Sequence, residues 1–326
     1  MIKDINLQDK RVLLRVDYNV PIQDGQVMDD YRIKKSLSTI RYCIEQGASI
    51  TIMSHLGRPN GCDEEYSLRP ISDKLSEILG KEIIFSEDCI SDKSFVASSS
   101  LEKGQIHMLE NLRFHKGELD NCADFSKLLS FHGEVYINDA FGTAHRSHAS
   151  NIGVTNFFNE KGMGFLMEKE LQYLKYEVQN PLQPFVVVMG GAKVKGKIEL
   201  IENFLNIADH LLIGGALSFP FLKVKGADIS SPLLNDEDID CADRLLSIAQ
   251  KENKEIIFPT DFVTASSLDD LDSIDIKMIN DISSDYGCFD IGPETTMLFS
   301  QILSQAETIL WNGPLGVSEN PYFGTG

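Results

Sequence analysis

The feature that most constrains this chain is its rhythm. Short apolar runs rich in β-branched residues alternate with longer stretches of helical period, and loops separate them. Residues 11–16 (RVLLRV) read as a strand. Residues 31–46 read as a helix, with Ile33, Leu37, Ile40 and Ile44 on one face and Gly47 just past its end. Residues 49–53 are strand again, and 70–79 a helix opened by Pro70 and closed by Gly80. Strands are predicted near 82–85, 106–110 and 134–138, the last apolar and short, as a buried parallel strand should be. Residues 164–178 read as one long amphipathic helix carrying Leu166, Leu171, Leu174 and Val178. A second series follows, with strands at 184–191, 210–215, 255–259, 276–279 and 308–313 and helices at 197–207 and 236–252.

Such alternation belongs to parallel sheets covered on both faces by helices. The 326 residues exceed what one core usually serves. The expectation is an α/β protein of two doubly wound lobes: residues 1–162, a linking helix with a hinge over 163–180, and residues 181–326.

Composition narrows the function classes. The chain is 42% hydrophobic and 24% charged, ordinary for a globular protein. No apolar run is long enough to span a bilayer, and the start Met1-Ile-Lys-Asp has no secretory pattern, so no membrane role and a cytoplasmic location are expected. The six Cys (43, 62, 89, 122, 241, 288) form no CxxC and read as reduced thiols. A formal net charge of −19 argues against a nucleic-acid partner. It also repels phosphate ligands. A chain this acidic must gather its cations locally to bind them, or use backbone N–H groups and helix N-termini.

In doubly wound sheets, ligands bind beyond the carboxyl ends of the strands. In the first half those loops hold Arg15 with Asp17-Tyr-Asn19, Arg32 at a helix start, Ser54-His55-Leu56-Gly57-Arg58-Pro59, Glu110-Asn111-Leu112-Arg113, and Asp139 through His145, Arg146 and His148. Guanidinium forks pair bidentately with carboxylate and phosphate. Five Arg converging at strand ends fit a small anion carrying both groups, and ion pairing with nearby Asp and Glu is the plainer alternative. In the second half, Gly190-Gly191-Ala-Lys193-Val-Lys195-Gly196-Lys197 joins a strand to a helix, where a phosphate would meet N–H groups and ammoniums. Gly191 to Lys197 satisfies GxxxxGK, but Ile198 stands where a P-loop needs Ser or Thr. Gly214-Gly215 marks a second close approach. Trp311-Asn-Gly-Pro-Leu-Gly-Val-Ser-Glu319 reads as a pocket wall.

The segments RVDYNVP (15–21), SHLGRP (54–59), LENLRF (109–114), DAFGTAHR (139–146), GGAKVKGK (190–197) and WNGPLGV (311–317) resemble, in order, the signature segments of phosphoglycerate kinases. The resemblance covers the whole chain. It implies two Rossmann-like lobes with a hinge, and phosphoryl transfer between 1,3-bisphosphoglycerate and ADP giving 3-phosphoglycerate and ATP. Closure of the lobes would bring the two substrates into line. Asp17, Asn19, Arg32, His55, Leu56, Gly57, Arg58, Arg113 and Arg146 would then hold the triose. Gly191, Lys193, Lys197, Gly214, Asn312, Pro314 and Glu319 would hold the nucleotide. Arg32 and Lys193 would steady the phosphoryl group in flight. Mg²⁺ would accompany the nucleotide, and a monomer is implied.

The chain also departs from the family pattern. Gly196 replaces an Asp, Ser318 replaces an aromatic, and the segment after Glu319 is short. The family continues past the Gly-Thr at 324–325 into a Gly-rich GGGD-T loop whose Asp binds Mg²⁺, so no metal ligand is expected in the chain given. The second lobe is expected to be incomplete, with weak activity or none, unless the sequence is partial. Two other readings stay open: a truncated non-catalytic fragment that retains triose binding, and a P-loop NTPase, against which Ile198 speaks.

Overall fold

The computed structural model describes residues 1–326 apart from 192–196, 230, 232 and 283–285. Two compact units divide the chain, Met1–Tyr176 and Glu177–Gly326.

The first unit is built on six parallel strands in the order Ile83–Ser86, Ile106–Leu109, Ser49–Met53, Arg11–Arg15, Val135–Asn138, Glu160–Met163. Period-two alternation sends Val12, Leu14, Ile50, Ile52 and Ile137 into one core, and Leu13, Met53, Leu109 and Tyr136 into another on the opposite face. Both faces are thus dry, which is why these strands read as unbroken apolar runs. The strand order reverses at Arg11–Arg15, flanked by Ser49–Met53 on one side and Val135–Asn138 on the other. The loops after these three strands therefore border one crevice. The helix Tyr31–Glu45 buries Ile33 and Ile40, and Gly47 takes the left-handed φ of +80° that ends it.

The second unit holds a four-stranded parallel sheet in the order Ile256–Ile257, His210–Ile213, Phe185–Met189, Thr308–Asn312. Here the reversal lies at Phe185–Met189, so its carboxyl end, Gly190-Gly191, is the corresponding crevice. Three features differ from the sequence reading. Asp275–Met278 is not part of the parallel series; it pairs antiparallel with Asp261–Ala265, which also pairs with Gly287–Ile291, in a separate three-stranded sheet. The helix near 164–178 is α-helical only over Phe165–Leu171, and Gln172–Glu177 is π-helical. Met167 is the buried side chain of the α-helical part, and Leu174, in the π-helical part where the added residue per turn rotates the face, is exposed. The strand Glu160–Met163 went unread because Glu160-Lys161-Gly162 carries no apolar pattern.

Side chains tie elements together at distance. Asp261 accepts the Thr295 N–H at 2.7 Å and the Glu294 N–H at 2.9 Å, so a strand residue caps the helix Pro293–Leu303. In the first unit a buried chain runs through two histidines. His132 Nε2 lies 2.7 Å from the Cys89 carbonyl, which can only accept. Burial lowers the proton affinity of both rings, His132 to about 4 and His107 to about 3, so both are neutral at pH 7. His132 Nδ1 must then accept the Ser98 proton at 2.5 Å. His107 Nδ1–H donates to Ser98 at 2.8 Å, and its Nε2 accepts from Ser86 at 2.8 Å. Thr51 donates to Ser98 at 3.2 Å.

Candidate functional site

The crevice of the first unit is assembled from its strand-end loops. Asn111, fully buried, organises them. Its side-chain oxygen accepts from Leu56 N at 3.2 Å and Arg113 N at 3.0 Å, while its amide donates to Leu56 O at 2.8 Å and Tyr66 O at 2.9 Å. One amide thus exhausts its capacity in fixing the 55–58 loop against the turn that carries Arg113. Glu110 anchors the same corner by accepting from Leu68 N and Asn111 N at 2.7 and 2.8 Å. Asn19 accepts the Gly57 N–H at 2.8 Å, joining the first loop to the second. Gly57 has φ +60°, and a Cβ there would come 2.2 Å from the Tyr66 ring, so no larger residue fits.

Cations crowd this corner. The Arg113 Nη1 donates to Gly57 O at 2.5 Å, while its Nε is enclosed with no partner among the described residues. Burial depresses the proton affinity of Arg113, and Arg146, Arg15 and Arg58 depress it further against a smaller opposing pull from Glu118. Burial also pushes His55 down to about 2, helped by Arg15, Arg113, Arg146 and His148. His148, 3.7 Å from Glu118, is lowered by the same surroundings. Arg58 is exposed and Arg146 half-buried, so both have free reach. Arg32 pairs with Asp17 at 2.8 Å and remains half-exposed. Together they border a cavity of about 500 Å³ that also touches Lys35, Asp139 and Tyr173. The nine sequence-predicted triose residues therefore fall into three groups: His55, Arg58, Arg113 and Arg146 in one electrostatic cluster, Asp17 with Arg32 at the 500 Å³ cavity, and Asn19, Leu56 and Gly57 on a separate pocket of about 300 Å³ with Tyr66.

The second unit's cavity has a different character. About 560 Å³ is lined by Phe262, Leu268, Phe289 and Val317, by Gly191, Gly215 and Gly316, and by Pro314 and Glu319. Glycine lets backbones meet beside its lining residues Gly191 and Pro314: a Cβ on Gly190 would come 2.0 Å from the Pro314 carbonyl oxygen. Lys197 reaches back to donate to Gly190 O at 2.5 Å, beside Gly191 and Gly313, and burial lowers its proton affinity. Gly191, Pro314 and Glu319 thus line the cavity, while Lys197 lies at the Gly190-Gly191 bend. Gly214 lies outside the lining, under Leu315, and its neighbour Gly215 takes the wall. Asn312 accepts the Gly190 N–H through its carbonyl at 2.9 Å and is also outside the lining. Lys193 falls within 192–196, outside the described residues.

Several contributors were missed by sequence reasoning. Asn111 sits inside a quoted segment, but nothing in that segment distinguishes it from a surface loop Asn. Phe262 and Phe289 belong to strands whose alternation was overlooked. Among the described residues no three His, Cys, Asp or Glu gather as a cation site. All six cysteines are free thiols, and no helix among the described residues is long and apolar enough to cross a membrane.

Strand-end guanidiniums on one parallel sheet, and an apolar cavity partly lined by glycines on another, suit an α/β protein that handles phosphorylated small molecules. The sequence profile of the phosphoglycerate kinase family matches residues 2–326. The chain is 44% identical over 326 residues to the phosphoglycerate kinase of Chloroherpeton thalassium, covering 100% of this chain and 82% of the relative. It is 42% identical to that of Finegoldia magna, covering 100% and 83%. The solved phosphoglycerate kinase structure from Coxiella burnetii matches with a TM-score of 0.81 at 36% identity, over 100% of this chain and 82% of that one. That from Pyrococcus horikoshii gives 0.85 at 32%, over 99% and 82%. The chain belongs to the phosphoglycerate kinase family.

Proposed function

We propose that the chain transfers a phosphoryl group reversibly between 1,3-bisphosphoglycerate and ADP, with the triose held by the first unit and the nucleotide by the second. The observation that carries the triose assignment is the cation cluster: Arg146 lies close enough to depress Arg15 and Arg113, Arg15 depresses Arg113 in turn, and Arg113 keeps an enclosed N–H without a partner among the described residues. In a chain of net charge −19, such crowding calls for an anion. His55, Leu56, Gly57 and Arg58 supply a loop held rigid by Asn111, and Asp17, Asn19 and Arg32 complete the triose side. On the nucleotide side, the apolar walls suit a flat base, and Gly191 and Lys197 suit phosphates. Gly214 and Asn312 act as backbone supports, and Glu319, Pro314 and Lys193 complete the set.

The chemistry asks little of the protein beyond placement and charge. The attacking atom is a carboxylate oxygen of 3-phosphoglycerate, ionised at pH 7, so no general base is needed. Guanidinium and ammonium groups around the transferring phosphoryl oxygens supply the stabilisation, with Arg32 and Lys193 in that role. The described residues do not fit a resident metal, so Mg²⁺ belongs to the nucleotide substrate in this reading and no step is routed through it. The chain acts as a cytoplasmic monomer. Titration calorimetry of 3-phosphoglycerate into the chain, with Arg113→Ala as control, tests the triose site. Specific heat lost in the variant is expected, and no binding to folded chain would overturn the assignment.

A further inference from the structure

Arg15 ends the first strand with no exposure at all, so it cannot itself reach a ligand. Its donors are all directed inward. Nε donates to Ser150 Oγ at 3.0 Å, Nη1 to the Val16 carbonyl, and Nη2 faces His55 Nδ1 at 3.2 Å. A guanidinium has no acceptor, so His55 Nδ1 must carry the lone pair. The ring's single proton then resides on Nε2. That nitrogen has no protein partner among the described residues, yet is not one of the enclosed orphan atoms, so it stays in contact with solvent. Behind Arg15 the order continues. Ser150 Oγ, already accepting, spends its proton on Glu118 Oε1 at 2.6 Å, and the buried Glu118 also accepts Ser150 N at 2.9 Å.

We propose that Arg15, held by Ser150 and Glu118, is a positioning residue that locks His55 as a neutral imidazole donating from Nε2 to the bound anion. The groups facing His55 are Arg15 and Asp17 from the first strand and its loop, Arg113 from the turn at Leu112–Phe114, and Arg146 and His148 from the loop after Val135–Asn138. A second proton on the ring would set N–H against N–H beside three guanidiniums. Protonation is therefore suppressed, and burial acts in the same direction. His55 contributes direction rather than charge. The anion is held by permanent cations, and this ring adds one hydrogen bond whose strength does not change across neutral pH. Only the identity of the anion rests on the function proposed above; the tautomer does not.

The test is nitrogen-15 spectroscopy of the imidazoles in the full chain without ligand, from pH 5.5 to 8, with His55 assigned by its loss in His55→Gln. The expected signature is an acceptor-type Nδ1 and a protonated Nε2, unchanged over the range. A protonated Nδ1, or titration near the ordinary value of about 6.5, would overturn the proposal. Arg15→Lys, whose single ammonium cannot serve Ser150, the Val16 carbonyl and His55 at once, should let the ring proton exchange between Nδ1 and Nε2 and raise the KM for 3-phosphoglycerate about tenfold, with a much smaller change in kcat. A purely structural Arg15 would lower the folded fraction without changing the tautomer of His55. If Arg15→Lys does not fold, two ring substitutes decide. The Gln amide can reach the Nε2 position and the shorter Asn amide cannot, so His55→Asn should raise KM about tenfold more than His55→Gln. Equal effects would reject the Nε2 assignment. Adding 3-phosphoglycerate should move the Nε2 resonance. If it does not while the tautomer stands, the substrate reading fails and the positioning role survives.

Discussion

The two crevices occupy the same topological place, the reversal point of a parallel sheet, yet they are made of opposite materials. The first is charged, with its guanidiniums tethered to loops that Asn111 and Glu110 hold in place. The second is apolar and partly lined by glycines, with Lys197 drawn onto the backbone beside it. Under the function proposed above, the difference follows from what each would recognise. A small multiply charged anion is identified by the position of donors, which requires rigid support. A flat ring is identified by shape, and its phosphates by close approach of backbone N–H groups. Two parallel sheets of different size would thus serve two forms of recognition through the loops at their reversal points.

The largest expected effect breaks transfer itself. Arg32→Ala should lower turnover roughly 10³-fold, by analogy with cationic residues that neutralise a transferring phosphoryl group. A drop below tenfold in folded protein would remove Arg32 from that role. Next, Gly190→Ala should weaken nucleotide affinity by about 30-fold, since its Cβ cannot avoid the Pro314 carbonyl. Calorimetry with 3-phosphoglycerate should be unchanged, and a parallel loss there would dissolve the contrast between the crevices. Asn111→Ala should act the other way round. It should raise the KM for the triose about tenfold and leave nucleotide affinity alone, because it frees the 55–58 loop and Arg113 together.

A last test turns from activity to stability and sharpens the contrast through pH. In the first unit His55, His107 and His132 are held near 2, 3 and 4, below the ordinary value of about 6.5. The unfolded chain takes up those protons first, so stability is full above that value. It is lost as pH falls from about 6.5 toward the folded values, at up to about 1.4 kcal/mol per pH unit for each ring. Asp139 in the same unit and Asp290 in the second are raised by burial, which has the opposite sign. Hydrogen exchange at pH 7 and pH 5 should therefore show residues 1–176 loosening before 177–326. Equal loosening would contradict the burial of these rings.

Much of this was legible in the sequence. Parallel strands buried on both faces leave an apolar, β-branched trace, and the helices Tyr31–Glu45 and Asp236–Lys251 showed a 3.6-residue period with clear ends. The antiparallel sheet was obscured because only three residues separate Asp261–Ala265 from Ile256–Ile257, and the strand read at 255–259 absorbed the apolar signal of that region. Cations such as Arg113 and Arg146 stood out against a strongly acidic background. The residues that align them, Asn111, Ser150 and Glu118, did not, because a side chain that acts by hydrogen-bonding at distances of tens to a hundred residues in sequence has no local pattern.

The two-histidine chain in the first unit has a further consequence. From Ser86 through His107, Ser98 and His132 to Cys89, every proton is committed in one direction, and Ser98 is the only junction. Such a chain has no partial state. The Cys89 carbonyl can only accept, so no donor in the chain can be reversed, and Ser98→Ala would strand two ring nitrogens and Thr51 at once. Substitutions there are therefore constrained jointly: a residue that alters one link can persist only with a matching change at the next. This corner of the fold would then drift through descent as a block of coupled positions while the surface beside it varies freely.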